Sequence, residues 1–273
     1  MSSHKRKRHL HRSPDGVAKL GGKVVGRVCQ GRGVRRIYPD IQDNPDIIQA
    51  YAYPEARPWL RLNMVASADG AAWLKGRSGG LSSSGDKRIF QILRGLADVV
   101  LAGASTVRKE GYGPVKPRDS WAEIRAGRPE VPHIAVISRS LGFDLDAELF
   151  TDATSKTIVI TCEAAPHDRR VELARHNDVI VAGEDTVDMR LAVAQLHGRG
   201  LTRILCEGGP RVNAQLSACG LVDELCLSIS PMLVGGGAAR IQNGEPAQVG
   251  LDLSQVLEEE GVLFCRYVRE RSS

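Results

Sequence analysis

The chain has 273 residues, of which 42% are hydrophobic, enough for a sizeable core. It contains no run of about 18 apolar residues, which argues against a membrane-spanning helix, and it starts without the apolar stretch of a secretory signal. The net charge of +5 is unevenly distributed, because residues 1–36 hold 11 Lys and Arg and the single acid Asp15. The remaining residues hold 26 basic and 31 acidic side chains. This mildly acidic body argues against a nucleic-acid partner.

The charge and composition divide the chain into three predicted segments. Residues 1–36 lack aromatic side chains and carry the basic run Lys5–Arg8, so we predict a disordered basic tail. This tail is either a nucleic-acid or targeting segment or a dispensable extension. Residues 37–57 are predicted to form a linker or arm, and residues 58–270 a folded domain. The six cysteines form no C-x-x-C pair, which fits a reducing cytoplasm.

Regular patterns begin at Trp59 and continue to the end of the predicted domain. Strands are predicted at Trp59–Ala66, Asp98–Ala102, His133–Ser138, Thr157–Thr161, Val179–Ala182, Arg203–Cys206, Leu225–Val234 and Val262–Val268. Helices are predicted from Ser84 to Leu96, from Val187 to Ala194 and from Val212 to Cys219, where apolar residues recur every three or four positions. Strands that alternate with helices predict an α/β fold with a mainly parallel sheet. The two last strands have no helix between them, which favours antiparallel pairing at one edge.

The strongest local motif is R-I-L-C-E-G-G-P-R-V-N at residues 203–213, where a strand meets a helix. Gly208 and Gly209 allow the backbone to approach a ligand, and Pro210 suits a first helical turn. The free amides of that turn favour a phosphate. Glu207 ends the strand, where open α/β sheets bind ligands. An ordinary strand-to-helix turn is an equal alternative for this motif taken alone.

Two further strand ends have the same character. The strand at Asp98–Ala102 runs into G-A-S-T, residues 103–106, whose amides and hydroxyls can cap a helix or contact a pyrophosphate. Ser138, Arg139 and Ser140 follow another strand and can grip a phosphate monoester, since guanidinium pairs well with phosphate. In a dinucleotide site this group would select NADPH over NADH. A plain helix cap and a polar loop are the alternatives.

Polar residues near the first strand are candidates for substrate chemistry. Asp69, in the turn S-A-D-G, can orient a substrate, relay a proton or cap the turn. Ser78 and Arg94 can grip an anionic group, although Arg94 can equally be a solvated helix charge. The sequence has no G-x-G-x-x-G after a strand, no P-loop and no G-x-S-x-G elbow. It also has no zinc-ligand spacing, so a metal-free site is expected.

Four motifs together resemble the pyrimidine reductase domain of riboflavin biosynthesis. They are A-S-A-D-G (Ala66–Gly70), the segment Leu93–Tyr112, C-E-G-G-P (Cys206–Pro210) and the segment Val222–Gly236, in the family's order. The resemblance covers about residues 58–270. It implies a fold similar to dihydrofolate reductase, a three-layer sandwich with a mainly parallel central sheet and antiparallel edge strands. It also implies a stand-alone reductase, without the zinc deaminase domain of the bifunctional proteins.

The resemblance implies an activity and a set of site residues. NADPH would reduce the ribosyl C1′ of 5-amino-6-(5-phosphoribosylamino)uracil, and Asp69 and Glu207 would orient the substrate or help deliver the proton. The expected substrate contacts are Asn63, Ser78, Arg94 and Glu207. The expected cofactor contacts are Gly103, Ala104, Thr106, Val107, Glu110, Ser138, Arg139, Gly208, Gly209, Pro210, Arg211, Val212 and Asn213.

Some alternatives remain open at this point. Many family members carry Lys at the position of Asn63 and Leu at the position of Ala68. A neutral amide supplies no ammonium charge, so a pterin such as dihydrofolate is an alternative substrate. A non-catalytic NADPH-binding protein whose tail contacts nucleic acid is a third alternative. The resemblance also implies a homodimer, for which Leu225–Val234 and Val262–Val268 are candidate interface edges.

Overall fold

The computed structural model describes residues 33–55 and 57–269, within which eleven strands form one sheet. The strands are β1 (Arg35–Tyr38), β2 (Gln42–Asp43), β3 (Trp59–Ser67), β4 (Val99–Gly103), β5 (His133–Ile137), β6 (Ile158–Thr161), β7 (Asp178–Val181), β8 (Arg203–Cys206), β9 (Glu224–Ser230), β10 (Asp252–Glu259) and β11 (Val262–Val268). The helices are α1 (Ile47–Ala50), α2 (Ser84–Leu96), α3 (Ala104–Glu110), α4 (Glu148–Thr151), α5 (His167–Leu173), α6 (Met189–Gly198) and α7 (Pro210–Ala218).

The sheet combines a parallel block with an antiparallel edge. Its strand order is β2-β1-β10-β11-β9-β3-β8-β4-β5-β6-β7. The pairs from β9 to β7 are parallel, whereas those from β2 to β9 are antiparallel. The predicted α/β class, with a mainly parallel sheet and antiparallel edge strands, is therefore confirmed.

Helices cover both faces of the sheet, which gives the predicted three layers. Strand β4 shows the arrangement, because Val100 and Ala102 belong to one core cluster and Val99 and Leu101 to the other. The first cluster includes Leu93 of α2 and residues of α3, α4 and α5, and the second includes residues of α6 and α7. A strand buried on both faces is continuously apolar, which is why the run Val99–Ala102 was predictable.

Helix α2 illustrates why the predicted helices form where they do. The Ser83 side chain accepts a hydrogen bond from the Asp86 amide at 3.1 Å and caps the first turn. Ile89, Leu93 and Leu96 are buried on one face of the helix, as their spacing predicts. Within the described residues, no helix has the length and apolar character needed to cross a membrane.

The structure corrects the predicted boundary near the N-terminus. Residues 1–32, most of the predicted disordered tail, lie outside the described residues. Arg35–Tyr38, at the junction of the predicted tail and linker, forms a strand that pairs with β10. Val34, Tyr51 and Tyr53 are buried, at 4%, 1% and 8% exposure. Residues 33–55 are therefore part of the main fold, since their apolar side chains enter the same core as α2.

The structure also corrects the prediction that the two last strands are free edges. Strand β9 lies between β11 and β3, and β11 lies between β10 and β9, so both are paired on each side. The edges are β2 and β7. Strand β10 was missed because polar residues such as Gln255 and Glu258 interrupt its apolar pattern. The short helices α1, α4 and α5 were missed too, because four to seven residues carry too little periodicity.

Candidate active site

A cavity of about 440 Å³ lies between α2 and the sheet, at the second half of β3 and the carboxyl ends of β8 and β4. Its volume is in the range of small-molecule sites. It is lined by the predicted site residues Asn63, Ser78, Arg94, Thr106, Glu110, Glu207 and Gly209. It is also lined by Asp86, Lys87, Phe90 and Tyr112, which the sequence analysis did not select. The structure thus brings together residues that are far apart in sequence.

Three charged or hydroxyl-bearing side chains form the centre of this cavity. Both oxygens of Glu207 accept hydrogen bonds from Arg94, through Nε and Nη2 at 2.7 Å each. The Tyr112 hydroxyl donates to Oε2 of Glu207. The side chains of Glu207 and Arg94 are only 3% and 17% exposed. Two-point pairing of a carboxylate with a guanidinium fixes its orientation as well as its charge, so Glu207 presents a fixed carboxylate to the cavity.

The surroundings of Arg94 and Tyr112 raise the pKa of both side chains. Burial opposes the charge of Arg94, but the Glu207 carboxylate outweighs it and raises the pKa of Arg94 above its ordinary value. Burial and the same carboxylate raise the pKa of Tyr112 well above its usual range, so the phenol keeps its proton. The Arg94 guanidinium also lies over the Phe90 ring, 4.4 Å from its centroid. The prediction that Arg94 binds an anionic substrate group stays a prediction, since Glu207 already occupies two of its nitrogens.

Local sequence features position these side chains. Asp86, Phe90 and Arg94 are spaced by four residues along α2, so they share one face of the helix. Helix α3 ends at Gly111 in the left-handed conformation, with φ of 69°. Tyr112 then donates its amide to the Val107 carbonyl at 3.0 Å, and its side chain reaches the cavity. A glycine is suited to this reversal because it has no Cβ penalty there.

The turns after β4 and β8 lie side by side at the edge of the cavity. Gly103 donates its amide to the Gly208 carbonyl at 2.7 Å. A Cβ at Gly209 would lie 2.6 Å from the Thr106 hydroxyl, and one at Gly103 would lie 2.9 Å from Val212 Cγ2. The two turns therefore approach so closely that neither position has room for a side chain. Glycine at Gly103 and Gly209 therefore has a steric cause in the packing of the two turns, whereas the sequence analysis had related Gly209 to the approach of a ligand.

Strands β4 and β8 are neighbours, and the chain leaves them toward opposite edges of the sheet. From β4 the chain continues through α3 to β5, whereas from β8 it continues through α7 to β9, on the other side of β3. Helices α3 and α7 pack in opposite core clusters. Open α/β sheets bind ligands in the crevice that forms at such a point. The cavity lies in that crevice.

Asp69, which was predicted to be catalytic, forms hydrogen bonds that connect two loops. Its carboxylate accepts hydrogen bonds from the Ser67 hydroxyl and from the amides of Val234 and Gly235. These donors lower its pKa to about 2. It does not line the cavity. Asp69 ties the turn after β3 to the loop after β9, and a direct catalytic role for it stays a prediction.

Ser138 and Arg139, which are expected to contact the cofactor, follow β5. Ser138 is buried and its hydroxyl accepts the Leu141 amide at 2.9 Å, so it stabilises its own turn. Arg139 is exposed next to it. Glu110 accepts the Ser78 amide at 3.0 Å and thereby holds the loop that forms one rim of the cavity. This contact brings Ser78, an expected substrate contact, next to Glu110, an expected cofactor contact, through the backbone of Ser78.

The other predicted cofactor residues belong to the two helix starts. Val107 and Val212 are buried in opposite core clusters, and Asn213 is 1% exposed and donates Nδ2 to the Ile241 carbonyl. Their side chains hold the turns in place. Ala104, Gly208, Pro210 and Arg211 lie in the first residues of the turns or helices, Gly208 with a positive φ of 83° and Arg211 exposed.

Among the cavity residues that sequence reasoning missed, Asp86 and Phe90 have a recognisable signal and Tyr112 does not. Asp86 and Arg94, with Phe90 between them, form a polar stripe beside the apolar face of α2, and the stripe faces the cavity. The sequence analysis considered Arg94 alone. Tyr112 follows a glycine that ends a helix, but no sequence pattern indicates that its hydroxyl reaches Glu207. Within residues 33–55 and 57–269, no group of three or more His, Cys, Asp or Glu could hold a metal ion.

Comparison with known proteins identifies the family of the chain. Residues 58–261 match the RibD C-terminal domain family. The chain is 32% identical over 184 residues to the 2,5-diamino-6-ribosylamino-4(3H)-pyrimidinone 5′-phosphate reductase of Methanothermobacter thermautotrophicus, which covers 67% of this chain and 82% of that protein. The reductase of the same name from Archaeoglobus fulgidus is 28% identical, with 66% and 83% coverage.

A solved structure has a similar fold. The crystal structure of a pyrimidine reductase-like protein from Corynebacterium diphtheriae matches with a TM-score of 0.75 and 32% identity, over 84% of this chain and all of that one. The fold, the cavity at the strand ends and these relatives define an α/β oxidoreductase of the riboflavin biosynthesis type. The chain belongs to the RibD C-terminal domain family.

Proposed function

We propose that this protein uses NADPH to reduce the ribosyl C1′ of a 6-ribosylaminopyrimidine 5′-phosphate, which converts the ribosylamino group to a ribitylamino group. The observation that carries the proposal is the Arg94–Glu207–Tyr112 group, which lies beside the paired glycine turns in one cavity. The glycine turns suit a dinucleotide, and the polar group suits a sugar and base with many hydroxyl and amino groups.

The residues at the two turns fit the phosphates of a dinucleotide. Helices α3 and α7 start at Gly103 and Gly209, and neither start is capped by the side chain of its N-cap residue. The amides of the first turns are therefore available as donors, except at Pro210, which has no N–H. A helix start also favours negative charge. The Thr106 hydroxyl lies in the same place and lines the cavity. The exposed Arg139 at the end of β5 is suited to the additional phosphate that distinguishes NADPH from NADH.

The chain's own residues would bind and orient the reactants. NADPH, when bound, supplies the hydride that reduces the sugar carbon. Glu207, fixed by Arg94 and Tyr112, accepts hydrogen bonds from the substrate and holds it against the two turns. Asn63 offers an amide that both donates and accepts. Phe90 and the ring of Tyr112 narrow the cavity and exclude water.

The activity is tested by following absorbance near 340 nm. Purified protein with NADPH is expected to show loss of absorbance on addition of either 5-amino-6-(5-phosphoribosylamino)uracil or its 2-amino counterpart, and a much slower loss with dihydrofolate. Rapid turnover of dihydrofolate alone would favour the pterin activity instead. Binding of NADPH without turnover of any of the three would favour a non-catalytic protein.

The cofactor site is tested by replacing Gly209 with alanine. The added Cβ would meet the Thr106 hydroxyl at 2.6 Å, so the two turns must separate. We expect the Kd for NADPH to rise about tenfold, a loss of roughly 1.4 kcal/mol, with the substrate-binding group left intact. Titration of NADPH fluorescence measures it.

A second variant separates crowding from misfolding. In Thr106→Ala/Gly209→Ala the clashing hydroxyl is gone, so part of the affinity returns. Gly198→Ala is the matched control, because a Cβ at Gly198, at the end of α6, meets nothing within 4 Å. An unchanged Kd in Gly209→Ala would contradict the placement of NADPH at these turns.

The proposal also includes the assembly and location of the protein. We infer that the protein is a homodimer. We also infer that it is cytoplasmic, because its relatives are enzymes of small-molecule biosynthesis. Leu233 and Ile41 are large apolar side chains that are 83% and 78% exposed, and a contact with a second copy of the chain would remove such side chains from water. A mass twice that of the chain in light scattering would support it.

A further inference from the structure

Asp86 lies at the end of the cavity away from the glycine turns, and its carboxylate has an unusual environment for a residue in the first turn of a helix. Oδ1 accepts a hydrogen bond from the Ser228 hydroxyl at 2.5 Å, and Oδ2 accepts one from the Ser82 hydroxyl. The helix start is capped by Ser83 instead. The carboxylate is therefore held over β9, and it lines the cavity.

Asn63 lies on β3, the strand next to β9, and faces the same side of the sheet as the Asp86 carboxylate. In the parallel pairing of β3 with β9, Asn63 is in register with Cys226 and Val65 with Ser228. Residues two apart on a strand share a face, so Asn63 and Val65 project on the side of Ser228 and Asp86. Since the strand order is β9-β3-β8-β4, the cavity runs from Asp86 past Asn63 to Glu207 and the glycine turns.

A carboxylate at this place discriminates between two bases. The 2,5-diamino-4(3H)-pyrimidinone named for the Methanothermobacter relative carries an N3–H next to a 2-amino group, which makes two adjacent donors. The uracil form carries a carbonyl oxygen in place of that amino group. A carboxylate is an acceptor only, so it pairs with the first edge and meets the lone pairs of the carbonyl in the second.

We infer that Asp86 recognises the N3–H and 2-amino edge of the base and thereby makes this cavity prefer the 2-amino-4-oxo form, the base named for the archaeal relatives, over the uracil form. This rests on the proposed function, since it assumes that a ribosylaminopyrimidine occupies the cavity. Ser82 and Ser228 each use one acceptor position on Asp86 and fix the carboxylate, and each oxygen retains a further lone pair for the base. The base lies at the β9 and β3 end, and the sugar carbon lies toward Glu207.

The test compares two substrates with the wild type and with Asp86→Asn. The wild type is expected to use the diamino substrate with a kcat/KM at least tenfold above that for the uracil substrate. In Asp86→Asn the value for the diamino substrate should fall roughly 10- to 100-fold, since one charged hydrogen-bond acceptor is lost. The value for the uracil substrate should stay the same or rise, because the new amide can donate to its carbonyl.

The matched control is Asp168→Asn. Asp168 is also an acid in the first turn of a helix, α5, and it is exposed. Its loss changes the helix start in the same way without touching the cavity, so the substrate ratio should not move. Thermal melting of both variants reports whether they fold.

Several results would overturn the inference. They are a wild-type preference for the uracil substrate, or an equal fall for both substrates in folded Asp86→Asn. Calorimetric binding of both substrates separates this question from the proposed function. Preferential binding of the diamino compound that disappears in Asp86→Asn, without any turnover, would sustain the inference while the proposed reaction fails. Absence of binding by either compound would end both.

Discussion

Glu207→Gln is expected to lower kcat at least 100-fold while the protein remains folded. The carboxylate receives two hydrogen bonds from Arg94 and one from Tyr112, so it is the best-fixed acceptor in the cavity. An amide of the same size would leave one of these donors facing another donor. Loss of one pre-oriented electrostatic contact in an active site costs about 10²- to 10³-fold in kcat. Steady-state NADPH oxidation measures it.

The same substitution should also destabilise the fold, because it leaves the charge of Arg94 without its partner. Breaking a largely buried ion pair costs about 3–5 kcal/mol, and the 17% exposure of Arg94 places the expected loss at the lower end of that range. Chemical denaturation measures the free energy of unfolding. The affinity for NADPH should stay close to that of the wild type, since the glycine turns are unchanged.

Two further variants define what Glu207 does. Tyr112→Phe removes only the third donor, so we expect a smaller fall in kcat of about tenfold with a folded protein. Glu163→Gln is the control, because Glu163 is 63% exposed in a 2.8 Å ion pair with Arg170 outside the cavity, and exposed pairs contribute at most about 1 kcal/mol. A Glu207→Gln enzyme as active as this control would remove Glu207 from the site.

The layered fold was predictable where burial made the sequence pattern simple. Strands such as Val99–Gly103 are apolar on both faces, and α2 has one apolar face, so both stand out in sequence. The antiparallel edge was harder. Strand β1 lies within basic residues that resemble a tail, and β10 alternates with polar residues. What stabilises both is pairing with neighbours distant in sequence, which a local pattern does not contain.

The candidate site was predictable to the extent that backbone geometry determines it. The glycine turns at Gly103 and Gly209 follow from strand ends and helix starts, and the structure places them in contact. The pairing of Arg94 with Glu207 spans 113 positions and could not be derived from local spacing. Asp69 shows another limit of local patterns, since its hydrogen bonds to Val234 and Gly235 join segments about 165 positions apart, while its predicted catalytic role stays a prediction.

Outside the cavity, the part of the described structure with the largest expected effect on stability is the environment of Glu224. Its side chain and that of Arg61 are 0% exposed. Arg61, Arg266 and the Trp59 indole all donate to the carboxylate, at distances from 2.8 to 3.3 Å. Arg266 also donates to the Ala50 carbonyl, so the group connects three strands to the segment that precedes β3.

Glu224→Gln is expected to lower the free energy of unfolding by about 3–5 kcal/mol at neutral pH. The neutral amide cannot balance Arg61, which would be left as a fully buried charge. Urea denaturation at pH 7 measures the change. Asp40→Asn is the control, since Asp40 is 66% exposed in its pair with Arg36, and its loss should change the free energy by no more than about 0.5 kcal/mol.

The pH dependence gives an independent check of the same group. Burial would raise the pKa of Glu224, but Arg61 and Arg266 outweigh burial and lower it from 4.5 to about 2. A carboxyl with a lower pKa in the folded state adds stability above its unfolded pKa, and that stability is lost as the pH falls toward the folded value. The wild type should therefore lose about 3 kcal/mol from this group between pH 4.5 and pH 2.

Glu224→Gln has no such ionisation, so its stability should decline less steeply over the same interval, and the two curves should converge in acid. Asp40→Asn should follow the wild-type curve throughout. If Glu224→Gln instead ran parallel to the wild type at every pH, its cost would come from packing rather than charge. The ionised carboxylate would then not be what holds Arg61 in the core.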